Sequence, residues 1–241
     1  MSVTQKIQKQ INRLSEGSTF KYDQLTIDPE EYSAAAKAIE RLIEKGIIKR
    51  VSTGLFYKPK QSVFGELKPS EGQILKPYLF EKGKRIAYIT GTSLYNRLGL
   101  TTQIPQIINI ASRDKRISIS IGDLKTTAVK AYVDVTDKNY YLLELLDVLK
   151  DFNKIPDLDK ASAIKIITNK LEALNSAEIK LLVKCSLAYP PRARSFLGAL
   201  LEEVDASTEL SLLRKSLSPF SEYEFGIENN LLSTAKNWRI K

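Results

Sequence analysis

The feature that most constrains the fold is a helix with clear start and stop signals in the first quarter of the chain, followed by two short β-prone runs. Asp28 suits the N-cap, Pro29 the first helical position and Glu31 the third, where its side chain would close a capping box. Gly46 suits the left-handed position that ends a helix. The pattern therefore predicts a helix from Pro29 to Lys45.

This helix is predicted to have two different faces. The apolar stripe that would face a core comprises Ala35, Ile39, Leu42 and Ile43. The opposite face comprises Ser33, Ala34, Lys37, Ala38 and Arg41. Small residues beside lysine and arginine would let the helix approach a polyanion closely.

A basic hairpin is predicted directly after the helix. The runs Ile47 to Val51 and Leu55 to Tyr57 are separated by Ser52-Thr53-Gly54 and end at Lys58-Pro59-Lys60. A preceding helix is indicated by apolar residues three or four apart, with Gly17 as its stop; these are Val3, Ile7, Ile11 and Leu14.

Helix, short connector, capped helix and hairpin is the order of a winged helix-turn-helix, which we predict for residues 1–62. The second helix would enter the major groove of double-stranded DNA, and the wing would touch the backbone. Phosphate contact is expected of Lys21, Lys49, Arg50, Lys58 and Lys60. Base contact is expected of Ser33, Lys37 and Arg41. Ser52 and Thr53 at the hairpin turn are also expected to bind DNA. The competing interpretations are a protein-interaction module and an ordinary solvated helix face.

The charge of the chain is unevenly distributed. The chain has 37 basic and 28 acidic residues and a net charge of +9. Residues 1–70 carry 12 basic and 8 acidic residues, residues 71–135 carry 10 and 5, and residues 136–241 carry 15 and 15. The excess therefore lies in the first 135 residues, which favours a polyanionic partner for that part.

The remainder of the chain is predicted to contain a linker, a mixed segment and a helical segment. Residues 63–70 are predicted to be a linker, in which Phe64 and Leu67 pack on something. The mixed α/β segment, residues 71–135, would hold strands at 86–90, 107–111, 116–121 and 128–133 and a helix at 91–100. The helical segment, residues 136–241, would hold helices at 142–150, 161–174, 176–188 and 192–204 and an apolar segment at 210–217. The predicted fold class is α+β: an N-terminal winged helix-turn-helix followed by a mixed α/β segment and a C-terminal helical bundle.

Catalytic and cofactor sites are not expected. The chain has no histidine, which excludes histidine-dependent triads and histidine-ligated zinc. Asp114, Asp123 and Lys125 resemble the two acids and a lysine with which some nucleases hold magnesium, but their spacing is short. We therefore expect no enzymatic activity and no cofactor, and keep a metal-dependent nuclease as a third hypothesis.

Two single residues and the first residues of the chain give further expectations. Cys185 lies in an apolar helical pattern and is predicted to be a core residue, and Trp238 is predicted to pin the chain end to the body. The first residues lack the apolar core of a signal peptide, and no run of 18 apolar residues occurs. We expect an intracellular, cytoplasmic protein without a membrane span.

Several segments taken in order resemble the AbiEi-like antitoxins of type IV toxin-antitoxin systems. They are AKAIERLIEKGIIKRVSTGLFY from Ala36, FGELKPS from Phe64, YITGTSLYNRLGLTTQIP from Tyr88 and PPRARSFLGALLE from Pro190. The first segment is common to many winged-helix repressors, and the third is much more distinctive.

The resemblance implies a protein in two parts. The winged helix would bind inverted repeats upstream of its own operon and repress it. Residues 71–241, the antitoxin domain, would counteract a nucleotidyltransferase-like toxin without forming a stable complex with it. The antitoxin function depends on the resemblance alone.

The distinctive segment contains a dense polar cluster. One interpretation is local packing, in which Thr90 or Thr92 caps the short helix and Gly99 ends it. The other is a functional surface, either for antitoxin activity or for an extra DNA backbone contact. The residues predicted for an antitoxin surface are Thr92, Ser93, Tyr95, Asn96, Arg97, Arg192 and Arg194. A function of a different class is a stand-alone winged-helix transcriptional regulator whose helical half senses a ligand or dimerises.

Overall fold

The computed structural model describes residues 2–205, 210–227 and 231–241. It is a mixture of helices and small sheets, which confirms the α+β class. The chain divides into two compact units. The amino-terminal unit contains residues up to Ile86 together with Ser120–Leu124, and the carboxy-terminal unit contains Ala87–Ile119 and Lys125–Lys241.

Two helices form the core of the amino-terminal unit. Helix α1 spans Val3–Asn12 and starts with a capping box between Ser2 and Gln5. Helix α2 spans Tyr32–Glu44. Their apolar faces meet in a core that includes Ile7, Ile11, Ala35, Ala38, Ile39 and Leu42. Ala38 is completely buried, so its assignment to the outward face is wrong; its small side chain lies where the two helices pack.

The two ends of α2 differ in how well the sequence signals predicted them. A 3₁₀ turn over Pro29–Glu31 precedes the helix, and the side chain of Asp28 makes no cap hydrogen bond. The predicted capping box is therefore wrong, because Glu31 instead accepts a hydrogen bond from Lys6 Nζ on α1 at 2.9 Å. At the other end Gly46 is left-handed, with φ 69°, as predicted. Ile47 N donates to Leu42 O and Gly46 N to Ile43 O, which is the Schellman arrangement.

A three-stranded antiparallel sheet packs beside these helices. Its strands are β1 (Thr19–Lys21), β2 (Lys49–Ser52) and β3 (Leu55–Tyr57), in the order β1-β3-β2. A 3₁₀ turn over Tyr22–Gln24 follows β1. Strand β2 begins two residues later than predicted, because Ile47 and Ile48 donate their N–H groups to the end of α2.

The segment predicted as a linker is structured. Strand β4 (Lys60–Ser62) pairs with β5 (Gly65–Leu67) in a second hairpin. Helix α3 (Glu71–Leu79) and the short strands β6 (Phe80–Glu81) and β7 (Lys84–Arg85) follow. The hydroxyl of Thr19 donates to Gln73 O, which ties α3 to β1 and extends the unit to Ile86. Phe64 is 97% exposed, so the expectation that it packs is wrong.

The carboxy-terminal unit begins with a sheet. Strand β8 (Ala87–Thr90) is followed by helix α4 (Thr92–Arg97) and strand β9 (Ile108–Ser112). Strand β10 (Ser120–Ile121), whose residues belong to the amino-terminal unit, precedes β11 (Leu124–Lys130) along the chain. Strand β9 pairs antiparallel with β8 and parallel with β11.

Two of the predicted strands have different bounds. Residues 116–119 are not in a strand. The N–H of Ile119 donates to the side-chain oxygen of Thr126, at 2.8 Å, and not to a backbone carbonyl as a strand ladder would require. Strand β11 starts and ends earlier than the predicted 128–133, because its register pairs Lys130 with Ser112, the last residue of β9.

Helices complete the carboxy-terminal unit, and their predicted positions are confirmed to within a few residues. They are α5 (Tyr140–Asp151), α6 (Lys160–Glu172), α7 (Ser176–Ser186), α8 (Pro191–Glu203) and α9 (Leu210–Lys215). Cys185 is buried, as predicted. Trp238 is 1% exposed and its ring lies against Gly198 of α8, which confirms that it pins the chain end. No helix in the described part of the chain is long and apolar enough to cross a membrane.

Candidate nucleic-acid interface

The exposed face of α2 presents a row of polar side chains. Ser33, Lys37 and Arg41 are four residues apart, so they lie one turn above another on the same face, and all three are exposed. Among the residues that the structure describes, no ion pair involves Lys37 or Arg41. These two cations are therefore available to an anionic partner.

An acidic residue interrupts this row and is neutralised by the hairpin. Glu40 lies three residues after Lys37, on the same exposed face. Its carboxylate pairs with the Arg50 guanidinium of β2. The structure thus places Arg50, predicted as a phosphate contact, against a carboxylate that would otherwise repel phosphate.

Glu66 of β5 holds Lys49 in the same way. Lys49 Nζ lies 2.6 Å from one Glu66 carboxylate oxygen, and the Tyr57 hydroxyl donates to the other at 2.7 Å. Burial and the Glu66 carboxylate raise the pKa of Tyr57 to about 12, and the hydrogen bonds from Lys49 and Tyr57 lower the pKa of Glu66. No local signal in the sequence predicted this cluster, because its members are brought together by strand pairing.

The remaining predicted DNA contacts have unequal access to a partner. Lys58 Nζ donates to Asn12 O and Leu14 O, at 3.2 and 2.9 Å, and so satisfies carbonyls at the end of α1. Lys21 Nζ lies 3.2 Å from the centroid of the Tyr78 ring. Ser52 is half-buried, whereas Thr53 at the turn and Lys60 are exposed. Thr53 and Lys60 are therefore the members of this set most accessible to a partner.

The polar cluster of the distinctive segment is placed on α4. Its glycine N-cap, Gly91, has φ 68° and ψ −149°, and a Cβ there would lie 2.5 Å from Asn109 Nδ2. Only glycine fits this start. The predicted side-chain cap is wrong, since neither Thr90 nor Thr92 caps the helix. The Thr90 hydroxyl instead donates to Asp147 at 2.7 Å. Gly99 ends the helix in the left-handed conformation, as predicted.

The members of the predicted antitoxin surface differ in exposure. Tyr95 is 5% exposed and donates its hydroxyl to Asp151, so it is not a surface residue. Asn96 is exposed, and Arg97 pairs with Glu144 at 2.7 Å. Thr92 and Ser93 are half-buried, and the Ser93 hydroxyl has no hydrogen-bond partner among the described residues.

The two arginines of α8 make contacts of their own. Arg192 donates to Glu224 O at 3.0 Å and stacks on Phe225, in a cleft of about 540 Å³ that Lys160 also lines. Arg194 donates to Ser216 O at 2.8 Å. Within the described residues, no hydrogen bond or ion pair joins either arginine to α4. The structure therefore does not unite them with residues 92–97 through direct contacts.

A buried polar network behind α4 was missed by the sequence patterns. Asp147 of α5 is 2% exposed and accepts hydrogen bonds from Tyr88 at 2.9 Å and Thr90 at 2.7 Å. Lys150 Nζ pairs with Asp147 at 3.1 Å and with Asp151 at 3.3 Å. Burial lowers the pKa of Lys150, but the two carboxylates raise it by more, so its net shift is upward. The available signal was a polar stripe at residues 144, 147 and 151 of an otherwise apolar helix.

This network joins β8 to α5 by hydrogen bonds. We therefore interpret it as part of what holds the fold together and not as a binding site. No group of three acidic or cysteine side chains that could hold a metal ion occurs in the described part of the chain. Asp114, Asp123 and Lys125, the residues of the nuclease hypothesis, are all exposed.

The comparisons place the chain in a family. Residues 6–141, more than half of the chain, match the model of a family of unknown function, DUF6088, and the chain belongs to that family. The match includes both α2 with its hairpin and the segment around α4. No curated protein matches the chain. Among solved structures, the chain is similar to the crystal structure of the RV2827C protein from Mycobacterium tuberculosis, with 12% identity and a TM-score of 0.49 over 91% of this chain and 83% of that one.

Proposed function

We propose that the amino-terminal unit is a winged helix-turn-helix that binds double-stranded DNA. The order α1, β1, 3₁₀ turn, α2 and the β2–β3 hairpin supports this proposal, with the 3₁₀ turn in the place of the second helix. The observation that carries it is the exposed face of α2, where Lys37 and Arg41 are accessible and Glu40 is neutralised by Arg50. In this arrangement α2 enters the major groove, and Thr53 and Lys60 reach the backbone.

The experiment that tests DNA binding is footprinting of the region upstream of the protein's own gene with the full chain. A protected site that persists in excess non-specific competitor DNA, and that contains inverted repeats, is the expected result. Binding that the competitor abolishes completely would contradict specific recognition.

We propose further that the protein is a DNA-binding antitoxin that represses its own operon and counteracts a nucleotidyltransferase-like toxin. The support is the resemblance of the segments from Ala36, Phe64, Tyr88 and Pro190 to AbiEi-like antitoxins. On this proposal the protein acts by binding and not by catalysis, works in the cytoplasm, and needs no cofactor. The antitoxin surface on this proposal is formed by the exposed Asn96 and its neighbours on α4.

Growth rescue separates this proposal from a stand-alone regulator. The full chain should restore growth to cells that express the adjacent gene, and Asn96→Ala with Arg97→Ala should weaken rescue without changing DNA binding. Lys165→Ala with Lys180→Ala, which removes exposed cations of α6 and α7, is the control. Absence of rescue by the unsubstituted chain would favour the regulator.

A further inference from the structure

The tip of the β4–β5 hairpin exposes two apolar side chains to water. Val63 is 94% and Phe64 97% exposed, and these are the two residues between the paired positions Ser62 and Gly65. Two-residue turns usually carry glycine, asparagine or aspartate, which tolerate the turn geometry and water. Turn formation therefore does not account for a valine and a phenylalanine at this tip.

The tip is held in a defined shape. Ser62 Oγ donates to Gly65 O at 2.8 Å and accepts a hydrogen bond from Phe64 N at 3.2 Å. Gly65 has a φ of 105°, a backbone conformation that residues with a side chain rarely adopt. The base of the hairpin is fixed by the Glu66 bonds to Lys49 and Tyr57. The apolar residues are thus presented on a braced two-stranded ribbon.

The charge at the base of this hairpin is positive. Lys60 begins β4 and Lys68 follows β5; both are exposed and form no ion pair with any residue that the structure describes. The acid of the hairpin, Glu66, is already paired with Lys49. This surface fits a partner that is anionic outside and apolar inside, and whose interior the narrow hairpin can reach.

We propose that the Val63–Phe64 tip is a wedge that inserts between stacked base pairs of duplex DNA, an inference that rests on the DNA binding proposed above. Proteins that kink DNA insert one or two apolar side chains between base steps, with basic residues beside them for the phosphates. A protein interface needs several hundred square ångströms, and two side chains anchor poorly in a bilayer. Duplex DNA is also the partner that the α2 cations of the same unit fit.

The test compares Phe64→Ser with Phe220→Ser, which removes a phenylalanine that is 93% exposed in the carboxy-terminal unit. DNA bending is followed by energy transfer between dyes at the ends of the upstream fragment, and affinity by anisotropy. Phe64→Ser should abolish most of the bend and weaken binding about ten- to hundredfold, because burial of one phenylalanine is lost. Its salt dependence should stay unchanged, because no phosphate contact is removed. Phe220→Ser should behave as the unsubstituted chain.

The possible failures are distinguishable. If the unsubstituted chain does not bind the fragment, both the DNA-binding function and the wedge are overturned. If it binds and Phe64→Ser bends and binds the DNA equally well, the wedge alone is overturned. Binding of anionic phosphatidylglycerol vesicles that Phe64→Ser abolishes, with DNA affinity unchanged, would also overturn it in favour of a membrane contact.

Discussion

Arg50 illustrates, at the scale of single residues, how a neighbour changes what a side chain does. A basic residue on the hairpin is expected to contact phosphate, but the guanidinium of Arg50 pairs with Glu40 of α2. Glu40 lies within one turn of both Lys37 and Arg41, so its charge matters for any anion that approaches this face. We infer that Arg50 acts chiefly by masking Glu40.

A double-mutant cycle tests this role. Arg50→Gln should weaken DNA binding by about 0.2–1 kcal/mol, the range of an exposed charge interaction, because Glu40 is unmasked. Adding Glu40→Gln should restore the affinity of the unsubstituted chain, measured by anisotropy at fixed salt. If the double variant binds as weakly as Arg50→Gln, Arg50 contacts phosphate directly.

Glu66 gives the hairpin a pH dependence whose sign follows from its lowered pKa. Its hydrogen bonds need the carboxylate, so their stabilisation is fully present above the ordinary pKa of a glutamate and is lost as the pH falls through the lowered folded value. Protection of the Lys60 and Leu67 amides, which face each other as a hydrogen-bonded pair of the hairpin, should fall on acidification once corrected for intrinsic exchange rates. Glu66→Gln should show weaker protection at neutral pH and lose this pH dependence; an unchanged dependence would rule out Glu66 as its source.

At the scale of elements, α8 and the chain end depend on a single close approach. A Cβ at Gly198 would lie 2.2 Å from the Trp238 ring. Ser195 Oγ donates to Trp238 O and the indole N–H to Glu202, so the ring is held on α8 from several sides. Alanine is accommodated only if the tryptophan moves.

Gly198→Ala should therefore lower the free energy of unfolding by about 1–3 kcal/mol, the usual cost of overpacking. Gly72→Ala in α3 is the matched control, since its nearest neighbour to a new Cβ is 4.0 Å away. That variant should raise stability by about 0.5–1 kcal/mol through helix propensity. Denaturant unfolding measures both, and equal effects of the two substitutions would contradict the packing argument.

Elements with local signals were predictable from the sequence, and contacts between distant residues were not. Gly46 was predictable as the end of α2 because its left-handed conformation depends only on the helix that it ends. The capping box was not, because Glu31 accepts a hydrogen bond from Lys6 of another helix instead. The hairpin of residues 60–67 was missed because its strands are short and its anchor, Glu66, bonds residues that strand pairing brings near. The exposed face of α2 was predicted from the spacing of its apolar residues. The burial of Ala38 was not predicted.

At the scale of the whole molecule, the charge distribution matches the proposed division of labour. Residues 136–241 are neutral, with 15 basic and 15 acidic residues, and the excess lies in the first 135 residues. The exposed cations of α2, Lys37 and Arg41, belong to the amino-terminal unit. A variant that removes charge from α2 should therefore differ from one that removes the same charge from the helical segment.

The most direct measurement is the affinity for the upstream DNA fragment as a function of salt for two variants of equal charge. Lys37→Ala with Arg41→Ala should weaken binding by about 1–3 kcal/mol for each base interaction removed, and reduce the salt slope by about one for each phosphate that the variant no longer neutralises. Lys165→Ala with Lys180→Ala, on exposed positions of α6 and α7, should leave both affinity and slope close to those of the unsubstituted chain. Equal losses in the two variants, or unchanged binding in the first, would contradict the assignment of α2 as the DNA-binding helix.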